Sequence, residues 1–454
     1  MQRLHTKDLV RPPHSLLLFL LIVITACSNG APKTVTKKTT TTPHPVAATA
    51  PAGNTADFPL IRQGRLSPEI DQIARDVLNN IRQHGWNPDA VTKGKVTGGL
   101  FVNWQMNNPG HTNALKEGSD DSTSMMHDPQ TDLDYLNALA EYTTLHPQDH
   151  SFNSEFSKMT PLVVREFSRY NLPKGWLYFY VLRDGLLLHN NDLINAAHTI
   201  ASNYYTRWYD PDLGLVYNRA HSPGVVTPEQ SMMAGAALIN AGLRWHESAW
   251  VQAGKSTLAR VTQYGLDTRA HLFYQNLAVG YGGTLQVTNT QAKPTTQGAI
   301  AEALVKAYDD TRDQSYLHEA RQILHGLFSS NLMDHQDGGM YFARDLQTGQ
   351  VNKSYKETRA HIHVLIALVE YNDALHTLGK PAQFQSQEQE MINLLTRHFY
   401  QEQYHGYFYR TTPTYHVYVS VPGSGIGYED FFTTEAMGSA LDALQQVEFA
   451  NLPF

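Results

Sequence analysis

Apolar residues recur every three to four positions along most of the chain from about residue 67 onward, a pattern that predicts α-helices. We expect twelve helices, at 67–84, 129–146, 152–170, 176–188, 190–208, 229–246, 247–264, 295–310, 314–330, 356–376, 384–399 and 433–448. Every second helix is rich in small and apolar residues on most of its faces, which is typical of a helix contacted all round. The others have one apolar stripe among charged residues. We therefore predict an all-α fold, an (α/α)6 toroid of six helical hairpins with an inner and an outer ring.

Four short segments rich in glycine and aromatic residues follow long helices, at 209–219, 266–274, 334–344 and 404–410. Aromatic residues favour extended backbone, and Gly or Asp-Gly supplies the positive φ of a tight turn, so we expect β-hairpins there. Such recurrence is typical of a stacked or closed array. An open stack would use the same helices but would need polar caps, so six units favour closure. The long loops before the inner helices would then gather at one end, where function concentrates.

The N-terminus is typical of an export signal. Three basic residues precede the apolar run 15–26, which is shorter than the roughly 20 residues of a membrane span. The tetrapeptide that ends at Cys27 resembles the lipobox of bacterial lipoproteins. This resemblance implies a signal peptide at 1–27, a lipid on Cys27, and a protein anchored to the bacterial cell membrane on its extracytoplasmic face. Cys27 is the only cysteine, so no disulfide can form within the chain.

Segment 28–57 consists largely of Thr, Ala, Pro and Lys. It has too few large apolar residues to offset the entropy of ordering, so we expect a disordered tether followed by one toroid domain at 58–454. The formal net charge is -7 and no Lys/Arg-rich run follows the signal. Nothing in this pattern recommends nucleic acid as a partner.

Acidic residues concentrate where the predicted inner helices begin. Asp132, Asp134, Glu229 and Glu435 lie close to threonines in first turns. Hydroxyls and carboxylates there satisfy unpaired amides and the helix dipole, so we expect these four acids either to cap helices or to stabilise helix dipoles.

Other acids are better candidates for catalysis. Asp120-Asp121 and Glu429-Asp430 are adjacent pairs in loops rich in Gly and Ser, and Glu357 opens an inner helix. Carboxylates that face one another across a cleft can separate into a proton donor and an ionised base or nucleophile. Glycoside hydrolysis requires that division. Asp120, Asp121, Glu357, Glu429 and Asp430 are therefore the predicted catalytic residues, with solvated loops as the alternative interpretation of the pairs.

Histidine offers a competing chemistry. Glu357 and His361 share a helical face at a spacing of four, while His363 points elsewhere. His361 is either a proton shuttle at a sugar carbon or a satisfied polar residue near a helix end. The chain contains no HExxH, CxxC, P-loop or G-x-S-x-G motif, so we expect neither a metal nor a cofactor.

Candidate sugar-binding residues stand near the loop side of the predicted ring. Aromatic faces can stack on sugar rings, although they also fill cores. The predicted set is Trp104, Trp176, Tyr178, Gln230, Arg359, His361 and Tyr428.

Residues 60–450, with twelve alternating helices and Gly-aromatic hairpins, resemble the six-hairpin glycosidase superfamily. Segment 334–371 resembles the hairpin-helix unit of N-acylglucosamine 2-epimerase-like proteins, which implies a catalytic His361. Asp120-Asp121 and the helix that contains Asp134 are similar to the bacterial alpha-1,6-mannanase family. That resemblance implies nucleophile and acid roles for Asp120 and Asp121.

We expect a surface-anchored carbohydrate-active enzyme, a glycoside hydrolase acting on oligo- or polysaccharide through paired carboxylates. Its predicted export favours this function, because a tethered protein there meets polymeric glycans. The alternatives are a noncatalytic glycan-binding lipoprotein and a sugar epimerase or isomerase that uses His361.

Overall fold

The computed structural model describes residues 60–61, 67–92, 95–105, 108–112, 128–170, 172–217, 224–416 and 431–450. In this part of the chain the helices are α1 Pro68–His84, α2 Pro129–Leu145, α3 Asn153–Phe167, α4 Gly175–Leu187, α5 Asn191–Asn203, α6 Pro228–Arg244, α7 Ser248–Gly265, α8 Pro294–Thr311, α9 Gln314–Ser329, α10 Thr358–Thr377, α11 Gln385–Leu394 and α12 Thr434–Gln446. α5 and α11 each continue into one π-helical turn, Tyr204–Trp208 and Leu395–Phe399. Each helix predicted from the apolar period is present.

Short strands connect the helices. They are β1 Leu60–Ile61, β2 Trp86–Asn87, β3 Val91–Thr92, β4 Lys95–Val96, β5 Gly99–Leu100, β6 Asn103–Gln105, β7 Asn108–Thr112, β8 Tyr209–Asp210, β9 Leu215–Val216, β10 Val225–Val226, β11 Leu266–Asp267, β12 Leu272–Phe273, β13 Asn276–Val279, β14 Leu285–Asn289, β15 Gln291–Ala292, β16 Ala343–Asp345, β17 Val351–Asn352, β18 Lys356–Glu357, β19 Tyr400–Gln401, β20 Gly406–Tyr407, β21 Arg410–Thr411, β22 Phe431–Thr433 and β23 Phe449–Ala450. Among the described strands, three-stranded sheets have the orders β10-β13-β14, β15-β16-β17 and β22-β6-β7, and the remaining strands form pairs.

The even-numbered helices form a closed inner ring. α2 packs on α4, α4 on α6, α6 on α8, α8 on α10, α10 on α12, and α12 returns to α2. The odd-numbered helices lie outside, each against its hairpin partner, and α1 packs on α12. β1 pairs with β23, which joins the two ends of the described domain. The predicted (α/α)6 toroid is confirmed.

Glycines let neighbouring inner helices approach closely. A Cβ on Gly175 of α4 would lie 2.1 Å from the amide nitrogen of Ala234 in α6. A Cβ on Gly298 of α8 would lie 2.7 Å from the carbonyl carbon of His363 in α10, and one on Gly438 of α12 would lie 2.8 Å from backbone atoms of Asp134 in α2. These spacings exclude any side chain, because carbon contacts settle near 3.5–4.0 Å. The small residues on the inner helices therefore set the diameter of the ring.

The interior of the ring also contains buried ion pairs. Arg183 of α4 contacts Glu141 of α2 at 3.3 Å and Asp442 of α12 at 2.7 Å. Lys306 of α8 pairs with Glu370 of α10 and, at 3.6 Å, with Glu302. Burial raises the pKa of Glu370 to about 8, against the opposing effect of Lys306. Separating the members of such a pair leaves an uncompensated buried charge, which is costly. These contacts therefore favour the observed arrangement of neighbouring helices.

The Gly-aromatic segments predicted as hairpins contain the expected antiparallel pairs, β8–β9, β11–β12, the bridge between Met333 and Met340, and β19–β20. Glycine was expected to supply the positive φ of each turn, and this prediction was wrong in two of the four segments. His271 and His405, with φ of 51° and 50°, occupy the left-handed position that glycine was expected to take. Gly214, Gly338 and Gly339 take it in the other two.

Three inner helices hold strand-turn segments, two of them Gly-aromatic hairpins and the third the β2–β5 pair, through the same helix position. The fourth residue of the helix accepts a hydrogen bond from a hairpin amide: Asp132 of α2 from Leu100 at 2.7 Å, Gln297 of α8 from Phe273 at 2.7 Å, and His361 of α10 from Met340 at 3.0 Å. Each bond is buried, so each acceptor satisfies an amide that water cannot reach. We call these residues the hairpin clamps.

None of the described helices combines the length and the apolar character that crossing a bilayer requires.

Candidate functional site

Arg359, in the first turn of α10, lies at the centre of a cluster formed by inner-helix ends. Its guanidinium is 3.5 Å from Glu229 at the start of α6 and 3.7 Å from Glu435 at the start of α12. The same group lies over the ring of Trp176, which opens α4, at 5.5 Å. The Arg359 side chain keeps 26 % of its surface exposed, whereas the two glutamates keep 10 %. The cation is therefore held by two carboxylates and an aromatic face where solvent still reaches it.

The two remaining inner helices complete the cluster. Gln130 of α2 donates to Glu435 at 3.4 Å and accepts from Lys174, the N-cap residue of α4, at 3.2 Å. The hydroxyl of Thr296 of α8 lies 3.1 Å from Glu229 Oε2. All six inner helices thus begin at one end of the ring. Their N-terminal dipoles add positive potential there, which stabilises the carboxylates.

Asp134, in the second turn of α2, is the unusual member of this group. The side chain is buried, and neither carboxyl oxygen has a hydrogen-bond partner among the described residues. Burial raises the pKa of Asp134 well above its ordinary value; Glu435 and Asp442 raise it further, and Arg359 opposes them. This shift favours the protonated form of the carboxyl group, which is the form that can donate a proton.

We name this group the ring-end cluster. It consists of Gln130, Asp134, Lys174, Trp176, Glu229, Thr296, Arg359 and Glu435.

A histidine lies directly below the cluster. His363 is one turn after Arg359 on α10, and its Nε2 accepts from Arg359 Nε at 3.5 Å. Its Nδ1 is 3.6 Å from Glu302 of α8. An imidazole between a guanidinium and a carboxylate has both of its nitrogens in polar surroundings. His363 was predicted to point away from the face shared by Glu357 and His361. In the structure it shares a different face of α10 with Arg359.

Glu357 is the predicted catalytic residue that falls in the described part of the chain. Its carboxylate accepts two bonds from the Arg410 guanidinium, from Nε and from Nη2, each 3.2 Å long. Arg410 in turn lies over the rings of Tyr355 and Tyr409. Both guanidinium nitrogens contact the same oxygen, Oε1, so Glu357 forms an ion pair between β18 and β21, which is a structural role. The catalytic role predicted for it has no support in this geometry.

Several predicted residues lie outside the described residues. They are Cys27, Asp120, Asp121, Tyr428, Glu429 and Asp430.

The role predicted for His361 as a sugar-binding residue or proton shuttle was wrong. Its Nδ1–H donates to the carbonyl of Glu357 at 2.7 Å while Nε2 accepts from Met340 N–H. Both nitrogens are therefore occupied, and the side chain is fully buried. Burial lowers the pKa of His361 to about 4. His361 is a neutral hairpin clamp, equivalent in position to Gln297.

Two predicted sugar-stacking residues belong to the core. Trp104 and Tyr178 have no exposed surface. The Tyr178 hydroxyl donates to Asn240 at 2.7 Å, far along α6 from its first turn. Trp176 is 5 % exposed and lies beneath Arg359, and Gln230 is half-buried beside Glu229. Of these four, Trp176 and Gln230 stand at the ring end.

The acids that the structure brings together were expected to cap helices or to stabilise helix dipoles. Asp128, not Asp134, caps α2. Glu229 and Glu435 lie in the first turns of α6 and α12, as the dipole role requires, and they also flank Arg359. Asp132 bonds the hairpin amide instead of its own helix. The sequence offered one signal for these acids, which is that all of them lie near the starts of inner helices. That signal points to a common site only once the ring is known to close. Among the described residues, no group of three or more His, Cys, Asp or Glu side chains has an arrangement that could hold a metal ion.

A comparison with models of protein families finds no match, and neither does a comparison with curated proteins. Solved structures do share the fold. An unsaturated glucuronyl hydrolase specific for heparin is 15 % identical, with a TM-score of 0.60 over 84 % of this chain and 96 % of its own. An inactive variant of an alpha-1,6-mannanase from Salegentibacter sp. HEL1_6, in complex with alpha-1,6-mannotriose, is 9 % identical, with a TM-score of 0.54 over 84 % and 99 %. A D-mannose isomerase is 9 % identical, with a TM-score of 0.59 over 83 % and 96 %. The chain therefore shares the (α/α)6 fold of these solved structures.

Proposed function

We propose that the protein is a glycoside hydrolase whose active site is the ring-end cluster. The observation that carries this proposal is the pair formed by buried Asp134, whose pKa is raised by burial and by Glu435, and Glu435 itself, which is 3.7 Å from the Arg359 guanidinium. A pair of carboxyl groups in opposite protonation states is what cleavage of a glycosidic bond requires. The shared fold with two glycoside hydrolases supports the same function.

In this mechanism Asp134 protonates the leaving oxygen as its bond to the anomeric carbon breaks. On the other side, Glu435 either stabilises the cationic anomeric carbon while water attacks it, or bonds to that carbon and is then released by water. Glu229 balances the charge of Arg359, so that the guanidinium orients Glu435 without neutralising it completely. Because Arg359 retains exposed surface, it also donates to a substrate hydroxyl. Asp120, Asp121, Glu429 and Asp430, which lie outside the described residues, remain predicted catalytic residues.

The test measures release of reducing ends from alpha-1,6-mannan, heparin and a beta-glucan by the full-length protein. Asp134→Asn and Glu435→Gln should each lower turnover by about a hundredfold or more, as loss of an acid-base group does. Glu229→Gln should also lower turnover, because Glu229 balances the charge of Arg359. Glu388→Gln is the matched control, because Glu388 is an equally buried acid that contacts Asn372 on the outer side of α10. Wild-type turnover in all three cluster variants would refute this site. If a polysaccharide retains the protein but no new reducing ends appear, the noncatalytic glycan-binding function would be favoured.

A sugar isomerase is the second candidate, and His363 is the observation that favours it. Its imidazole lies between Arg359 and Glu302, where a proton can be exchanged with a bound sugar. His363 replaces His361 in this alternative because both nitrogens of His361 are engaged. Incubation with D-mannose in deuterated water should place deuterium at the carbon next to the carbonyl, and His363→Gln should abolish the labelling. Unlabelled sugar after prolonged incubation would exclude this route.

For location, the lipobox-like sequence supports a lipid anchor on Cys27, on the extracytoplasmic face of the membrane. Cys27→Ser should move the protein from the membrane fraction to the soluble fraction and abolish incorporation of radiolabelled palmitate. An unchanged distribution would contradict this anchor.

A further inference from the structure

A β-hairpin that starts beside the ring-end cluster ends in a fully exposed tyrosine. β13 and β14 pair from Asn276 opposite Asn289 to Val279 opposite Leu285. Tyr281 stands in the turn between them, with a relative exposure of 103 %. A ring of this size normally buries much of its surface. An aromatic residue with both faces free is therefore a candidate platform for a ligand.

The turn that carries the ring is well fixed. Gly280 donates to the carbonyl of Thr284 at 2.7 Å and Gly283 donates to that of Gly280 at 3.2 Å, while the Thr284 hydroxyl donates to the carbonyl of Tyr281 at 3.2 Å. Gly282 and Gly283 have φ of 70° and 76°, in the left-handed region that favours glycine. An ordered backbone that presents Tyr281 loses little entropy when a ligand binds.

The two faces of the hairpin differ. One face is packed on a small hydrophobic cluster of its own, formed by Leu213, Leu215, Tyr217, Val226, Leu277 and Leu285. On the other, Thr284, Gln286 and Thr288 are exposed at alternate positions of β14. Hydroxyl and amide groups therefore line the path from Tyr281 back toward the ring.

This segment has no charge. From Gln275 to Gln291 the sequence contains no Asp, Glu, Lys, Arg or His, although the whole chain has 77 acidic and basic residues, 35 Lys+Arg and 42 Asp+Glu. A surface of one aromatic ring with neutral hydrogen-bonding groups suits an uncharged polyhydroxyl ligand. It offers no counter-charge to a uronate or a sulfate.

The base of the hairpin adjoins the candidate active site. Gln275 Oε1 lies 3.1 Å from the Thr296 hydroxyl, which is also 3.1 Å from Glu229. Tyr281 is six positions after Gln275, so the tyrosine stands up to roughly 20 Å away along an extended strand. A ligand that contacts both places must be a polymer.

We propose that Tyr281 and the exposed side of β14 form a remote binding subsite for a neutral polysaccharide whose other end lies in the ring-end cluster. This inference rests on the proposed function, since it takes a glycan as the substrate. It adds the substrate class: a neutral polymer is preferred to short oligosaccharides and to anionic polysaccharides.

Binding is tested by native electrophoresis of the full-length protein in gels containing alpha-1,6-mannan, dextran, a beta-glucan or heparin. All samples carry Glu435→Gln, so that the polymer stays intact. At least one neutral polymer should retard the protein, and heparin should not. Tyr281→Ala should weaken that retardation about tenfold, on the scale of one aromatic contact. Tyr281→Phe should preserve it, because the ring face is kept.

Leu243→Ala is the matched control. Leu243 is 43 % exposed and lies at the opposite end of α6, so its removal deletes exposed apolar surface away from the site. This variant should bind as the parent does. Equal retardation of the parent and Tyr281→Ala, or retardation by heparin alone or by no polymer, would overturn the proposal.

Turnover separates this inference from the proposed function. With Glu435 intact, Tyr281→Ala should lower kcat/KM on the retarding polymer and leave that on a trisaccharide of the same linkage unchanged. Equal losses on both substrates would overturn the remote subsite. If Tyr281-dependent retardation occurs without any hydrolysis, the hydrolase function fails while the binding subsite stands.

Discussion

Replacing Gly298 with alanine sets two opposing effects against each other. Alanine in a helix interior gains about 1 kcal/mol over glycine. The new Cβ, however, would lie 2.7 Å from the carbonyl carbon of His363 and 2.7 Å from the amide nitrogen of Val364. Contacts of this kind need about 3.5 Å, so α8 and α10 would have to separate by roughly 0.8 Å. Backbone atoms of a packed helix cannot rotate away as a side chain can.

Overpacking costs about 1–3 kcal/mol, and rigid backbone neighbours place Gly298→Ala near 3. After the gain in helix propensity, we expect the free energy of unfolding to fall by about 2 kcal/mol. Gly235→Ala, in the interior of α6, is the matched control. Its Cβ would lie 3.1 Å from Leu258 Cδ2 and 3.2 Å from the Gly254 carbonyl oxygen, so a shift of a few tenths of an ångström suffices. That variant should be close to neutral.

The assay is equilibrium unfolding in guanidinium chloride, followed by far-UV circular dichroism, for the wild type and both variants. If the slopes of the transitions agree, the midpoints compare the free energies of unfolding directly. Gly298→Ala should unfold at a clearly lower midpoint than Gly235→Ala. A Gly298→Ala protein as stable as the control, or more stable, would show that the ring does not depend on close approach of α8 and α10.

His361→Leu should lower the free energy of unfolding by about 2–3 kcal/mol at pH 7, because it leaves Met340 N–H and the Glu357 carbonyl without their buried partner. Since the pKa of His361 is about 4 in the folded chain and about 6.5 when unfolded, the unfolded state binds the extra proton between these values. Wild-type stability should therefore rise from pH 4 to 6.5 relative to the variant in denaturant titrations, and a constant difference would contradict a neutral clamp. Lys356→Met should cost about 3–5 kcal/mol, because buried Asp334, 2.9 Å from Lys356 Nζ, loses its counter-ion. Adding Asp334→Asn should recover most of that loss, and strictly additive losses in the double-mutant cycle would contradict the pairing.

The helices could be predicted because the information that forms them is local. An apolar period of 3.6 residues and the terminal glycines and prolines lie within each segment, so the bounds of α1 and α9 agree with the sequence prediction to about one residue. Alternation of small-residue helices with amphipathic ones likewise indicated which helices are inner. The hairpins were found from their aromatic residues, although sequence could not show that His271 and His405 adopt positive φ.

The roles of the acids at the helix starts depended on contacts between distant segments. In the sequence Asp134 and Glu435 look like ordinary acids near helix starts, and Gln130 bonds to Glu435 across 305 positions of sequence. In the sequence His361 resembles a catalytic histidine, but in the fold its Nε2 accepts a hydrogen bond from the hairpin amide of Met340. The pattern of residues within one segment carries no information on such contacts, because the six helix ends come together only when the ring closes. That placement buries one carboxyl group without a partner among the described residues and leaves the neighbouring carboxylates balanced by Arg359.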